Sequence, residues 1–193
     1  MKKSIKISAI TLAILSIFTV STRAQEGTPS GDPVKSGFRL SVGPEVALPI
    51  GDFSDRYNWA IGGSVQGELP ILKDQLFVTL NAAYLSFIKN DDYTGTYQSN
   101  LQLIPVKAGL KYFPVKNFFV QGEAGVSFLT NKDDVGATKS ATFAYAPQIG
   151  YQFNLGNSSA LDLGVRFQGN SKFTDNGSSN NFFGLRVAYS FGL

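Results

Sequence analysis

Eight stretches of alternating apolar and polar residues, connections that alternate between short and long, and a charged-then-apolar leader predict the fold class. It is all-β: an eight-stranded antiparallel up-and-down transmembrane β-barrel that follows an export signal. From Gly37 to Leu193 no stretch shows a convincing 3.6-residue periodicity.

The leader comes first. Lys2, Lys3 and Lys6 precede an apolar run from Ile7 to Val20 that closes on Ser21, Thr22, Arg23 and Ala24, the three-part build of a secretory signal peptide. The run is shorter than the roughly 20 residues of a spanning helix. Residues 1–24 are therefore expected to be removed after Ala24. Residues 25–36 contain two prolines, two glycines and almost nothing apolar, which makes them a flexible periplasmic lead-in. The folded domain takes residues 37–193.

Cleavage changes the electrostatics. Lys2, Lys3, Lys6 and Arg23 are four of the 17 basic residues, while all 14 acidic residues lie beyond Ala24, so the mature net charge falls from +3 to −1. The basic character belongs to the leader, and with it goes any case for nucleic acid as a partner. There is no cysteine, hence neither a disulfide nor a lipid-modified N-terminus. Membrane attachment must come from the fold itself.

The strands follow in order. Phe38, Leu40, Val42, Val46 and Leu48 oppose Arg39, Ser41, Gly43, Glu45 and Ala47. Segments 59–71, 75–88 and 101–113 alternate less cleanly, and Pro105 in the third is expected to mark a bulge or a change of phase. Phe118, Val120, Ala124, Val126 and Phe128 oppose Gln121, Glu123, Gly125 and Ser127. From Phe143 to Leu155 every odd position is apolar and every even one polar or small. Leu161, Leu163, Val165 and Phe167 oppose Asp162, Gly164, Arg166 and Gln168; the closing strand sets Phe183, Leu185, Val187, Tyr189, Phe191 and Leu193 against Gly184, Arg186, Ala188, Ser190 and Gly192.

Connection lengths add independent support. Short links fall at Leu72 to Asp74, Val115 to Asn117 and Gly156 to Ser159, and long polar ones at Gly51 to Asn58, Lys89 to Asn100, Thr130 to Ser140 and Asn170 to Asn181. Four long loops and three short turns put both termini on the short-turn side, with the long loops expected outside the cell.

Period-two alternation alone leaves open which face points outward, since a soluble lipocalin-like barrel inverts the pattern. Face composition decides. The polar face is mostly Gly, Ala, Ser and Gln with scattered charges, which suits a crowded interior. The apolar face carries no charge over the strand centres and gathers aromatics toward strand ends, as in Phe143 and Tyr145 against Tyr151 and Phe153. Such aromatics form interfacial girdles in a membrane barrel.

Three segments carry a family resemblance: Pro49-Ile50-Gly51-Asp52-Phe53-Ser54, Leu103-Ile104-Pro105-Val106-Lys107 and the closing strand from Gly184 to Phe191. Over about residues 37–193 the chain resembles the outer membrane protein β-barrel domain family, small porin-family and PorT-like barrels similar in architecture to OmpA and OmpX. The resemblance implies a bacterial outer-membrane location, outer-membrane lipid as surroundings and passage through the barrel-assembly machinery. Gly184, Val187, Tyr189 and Phe191 look like the insertion signal that machinery reads, although the chain ends on Leu193 and not on an aromatic.

Catalysis is not expected. Enzymes of this architecture resemble one another in using a histidine, and this chain has none. No serine sits in a nucleophile elbow or an S-x-x-K arrangement. Asp52 with Asp55, Asp91 with Asp92 and Asp133 with Asp134 offer oxygen ligands in the loops, yet none has the D-x-D-x-D-G spacing of a dedicated cation site. Neither metal nor cofactor is predicted. Trp59, Tyr93 and Tyr97 are better read as girdle and loop packing than as ligand anchors.

The polar face supplies the candidate site. Arg39, Glu45, Glu68, Lys107, Lys111, Glu123, Asp162, Arg166 and Arg186 are expected inside as a mixed charge network. Strand adjacency points to Arg166 with Glu123, and to Arg186 with Glu45 or Asp162. Eight strands leave room for little beyond side chains. The expected function is thus a plugged scaffold presenting four loops to an unidentified surface or envelope partner; a narrow porin-like channel for small solutes is the alternative.

Overall fold

The structure is a computed structural model and describes residues 37–72, 75–94, 99–156, 158–175 and 177–193. The expected signal peptide (1–24), the lead-in (25–36) and Tyr97 lie outside the described residues.

Eight strands close into one antiparallel barrel in sequence order: β1 (Arg39–Ile50), β2 (Tyr57–Leu72), β3 (Leu76–Lys89), β4 (Leu101–Val115), β5 (Phe118–Leu129), β6 (Ala141–Gly156), β7 (Ser159–Asn170) and β8 (Asn180–Gly192). β1 pairs with β8, so the sheet has no free edge. Among the described residues no helix is long and apolar enough to cross a membrane. Crossing falls to the strands.

The strands tilt, and the register records it. One row runs from Arg39 through Glu68, Thr79, Gly109, Glu123 and Ala146 to Gln168 and Phe182, and meets β1 again at Pro49, ten residues beyond its start. Such a stagger is what closing a sheet into a barrel requires.

Pro105 was expected to mark a bulge or a change of phase in β4 and marks neither. The β4–β5 register runs unbroken through Pro105 and Ser127, while the β3–β4 ladder skips from Ala82–Val106 to Leu85–Leu103 and keeps its register. The missing N–H removes a bond without displacing the strand. Pro44 and Pro147 act likewise toward β8 and β7.

The apolar face points outward, as its composition required. Leu80 is 61% exposed, and Phe143 and Ile149 more than half. In a soluble protein so much apolar surface would be costly to hydrate. Outside, Tyr145 contacts Phe143 and Phe167, and Phe167 contacts Phe183; toward the other end Tyr151 lies 4.8 Å from Phe153 and Tyr189 lies 6.2 Å from Phe191, centroid to centroid.

One element escaped the sequence reading. Within the first long loop, Asp52–Arg56 forms a single helical turn, α1, entered through Gly51 at φ 62°. The positive φ suits glycine. The turn places Phe53 inside the loop-side mouth, 5.1 Å from Tyr57 and 5.0 Å from Phe87, and Phe87 lies 5.1 Å from Phe182.

Candidate functional site

Every second residue of each strand projects into the interior, and there the side chains sort into three layers. Toward the loops lies an apolar layer of Ala47, Phe53, Tyr57, Ala60, Leu85, Phe87, Leu101, Leu103, Leu129, Phe173 and Phe182. The middle is polar and charged. Toward the short turns Phe77 and Phe119 are buried beside Phe113.

All nine residues expected in the interior are buried there. Lys111 joins two carboxylates: its Nζ donates to Glu68 Oε1 at 2.9 Å and to Asp162 Oδ2 at 2.7 Å. Gln66 donates to the same oxygen of Glu68 at 2.8 Å, and Gln152 to Asp162 Oδ1 at 2.7 Å. Lys107 donates to Gln168 Oε1 at 2.9 Å and lies 3.3 Å from Glu123 Oε2. Glu45 faces two guanidinium groups, Arg166 through Nη2 and Arg186 at 3.5 Å. Arg186 also donates to Ser64 Oγ at 2.7 Å and Ser41 Oγ at 2.9 Å.

Two expected partnerships need correcting, and a third holds. Arg166 pairs with Glu45 and not with Glu123, because the tilt brings β1 within reach of a long side chain from β7. Arg186 meets Glu45, one of the two partners expected for it, at 3.5 Å, while the oxygens of Asp162 are taken by Lys111 and Gln152. Arg39, expected among the ion pairs, stacks on the Phe77 ring at 4.2 Å and donates to Gln152 Oε1 at 3.5 Å. A guanidinium over a ring face is held by the ring quadrupole. Lys111 likewise sits 4.3 Å from the Phe119 ring centroid.

Gly184 belongs to this site as well as to the closing strand. A Cβ there would lie 3.2 Å from Arg166 Nε, so the bare backbone lets Arg166 pass across β8 to Glu45. Val187, Tyr189 and Phe191 point the other way, out of the barrel. The loop aspartates do not converge: among the described residues no group of three or more potential ligands could hold a metal ion.

A closed eight-stranded barrel with an uncharged apolar belt, aromatic clusters near both ends and a polar, charged interior defines a small outer-membrane β-barrel. Residues 10–191 match the family model described as the outer membrane protein beta-barrel domain, and the chain belongs to that family. It is a protein of the bacterial outer membrane.

Solved structures share the fold at low identity. Neisserial surface protein A (NspA) is 15% identical with a TM-score of 0.55, the match covering 82% of this chain and 98% of that one. The outer membrane protein AlkL, solved in lipid bilayers, is 14% identical with a TM-score of 0.52, covering 89% and 97%. Ail, the attachment invasion locus protein of Yersinia pestis, is 15% identical with a TM-score of 0.50, covering 81% and 99%. No curated protein matches the sequence.

Proposed function

We propose that the chain is a non-enzymatic barrel plugged by its own side chains, acting as a structural or surface-interaction protein whose four long loops face the cell exterior. The observation that carries this reading is the composition of the interior: Glu45, Glu68, Glu123 and Asp162 each lie in an ion pair with buried lysine or arginine, below a buried apolar cluster. A selective pore is better served by one dominant sign along an open path. Paired charges of both signs bind each other instead of a passing ion, and the apolar layer gives an ion nothing to replace its water.

Export of the mature chain from Gln25 onward, insertion by the assembly machinery through the β8 signal, and a surface or envelope partner belong to the same reading. Outer-membrane lipid covers the belt. Nucleic acid has no part in it.

Planar-bilayer conductance of the refolded protein tests the plug. Baseline conductance is expected. Stable, ion-selective openings of the unmodified protein would overturn the plugged scaffold in favour of the narrow porin-like channel.

A further inference from the structure

Above the apolar layer the loop-side mouth holds a cavity of about 230 Å³, bounded by the start of β2, the β5–β6 loop and the β7–β8 loop. Leu101, Leu129 and Phe173, all buried members of the apolar layer, form its apolar side. Its polar side includes Arg56, Tyr57 and Asn180.

Two facts make this more than a gap between loops. The first is rigidity: Thr138 and Lys139 both donate backbone N–H bonds to the Phe173 carbonyl, at 3.1 and 2.9 Å, and Lys139 Nζ lies 2.7 Å from Asp175. The two loops are thereby tied to each other. The second is charge. On the loop side Lys89, Lys132 and Lys139 each lie beside an aspartate, whereas Arg56 and Lys172 form no ion pair among the described residues, and of these two it is Arg56 that lines the cavity. Asp52, on the same helical turn, already accepts a hydrogen bond from Ser178.

We propose that this cavity binds a compact organic carboxylate with a flat apolar body, the carboxylate on Arg56 and the body against Leu101, Leu129 and Phe173. The planar guanidinium fork matches a carboxylate in two parallel hydrogen bonds, and its one-sided charge selects an anion. The apolar side favours a hydrocarbon body over a hydroxylated one, because a sugar ring there would lose water contacts without replacement. Size selects as well: the cavity falls below the roughly 300–1,000 Å³ of sites for drug-sized ligands. The site goes beyond the scaffold reading, and it stands whether or not the interior conducts.

Benzoate is the probe, titrated into the folded barrel in detergent and followed by amide chemical shifts, with benzamide and glucuronate alongside. Saturable benzoate binding is expected, weakened by about tenfold or more in Arg56→Ala and Arg56→Gln, with similar losses for benzamide and glucuronate with the unmodified protein. Ala137→Trp fills the cavity and should abolish saturation. Each variant is first shown to be folded by the shift between unboiled and boiled forms on a gel. The proposal is overturned by shifts that never saturate, by binding that survives both Arg56 substitutions in folded protein, or by glucuronate binding as well as benzoate.

Discussion

Arg166 on β7 reaches Glu45 on β1 by crossing the strand between them at Gly184. Glu45 also faces Arg186, so one carboxylate compensates two buried cations. Removing it as Glu45→Ala should destabilise the barrel by about 3–5 kcal/mol, the usual cost of stranding a buried charge. Arg166→Met in the same background should recover part of that loss, and the two single changes should sum to more than the double. Urea unfolding in lipid vesicles measures all three; additive losses would mean that the two side chains do not interact.

The outward belt makes a separate prediction. Leu80→Arg places a charge on the lipid face at the most exposed apolar position of β3 and should cost about 2–4 kcal/mol if it sits near the bilayer midplane. Asp133→Arg, in the β5–β6 loop, should leave stability within about 0.5 kcal/mol. Equal tolerance at both positions would contradict the membrane belt.

Phe53 is 1% exposed although it comes from a loop. Phe53→Ala should cost about 3–5 kcal/mol if its neighbours do not collapse into the space. Conductance should stay at baseline, because the charged middle layer lies beneath. A variant that conducts steadily would show that the apolar layer alone closes the barrel.

Topology is checked by tags inserted after Asp91, Asp133, Lys116 and Asp175. The first, second and fourth should be accessible to antibody on intact cells, and the third should not. Val135 is a poorer insertion point because it packs on the apolar layer, and Gly177 because it lines the mouth cavity. Accessibility of the Lys116 tag alone would reverse the orientation.

The barrel was legible in the sequence because membrane and interior impose opposite chemistries on alternate residues. In β5 to β8 the two faces differ at nearly every position, and the strand bounds agree with the structure to within three residues. β3 and β4 blurred the pattern for a physical reason: Leu85, Phe87, Leu101 and Leu103 face inward, so near the loops both faces are apolar. The run Tyr84-Leu85-Ser86-Phe87-Ile88 carries that signal in retrospect. Of the ion pairs, Arg186 with Glu45 was legible, because the two face each other on neighbouring strands. Arg166 with Glu45 was not: it depends on strand tilt and on a side chain long enough to skip a strand, and neither leaves a trace in their spacing. The mouth cavity was equally hidden, since Arg56 and Phe173 come to line one cavity only through loop folding.

The aromatic contacts that run from Phe53 through Phe87 to Phe182 bear on the order of assembly. They join the connection after the first strand to the third strand and the last, so the set is complete only when β8 has arrived beside β1. Contacts between segments this far apart in the chain form late, after the entropy of closing the intervening loops has been met. The lid over the interior is therefore complete only once the barrel has closed. The pairs of Glu45 with Arg186 on β8, and with Arg166 beyond it, wait on the same closure, so the cover and the charges beneath it share one condition for assembly.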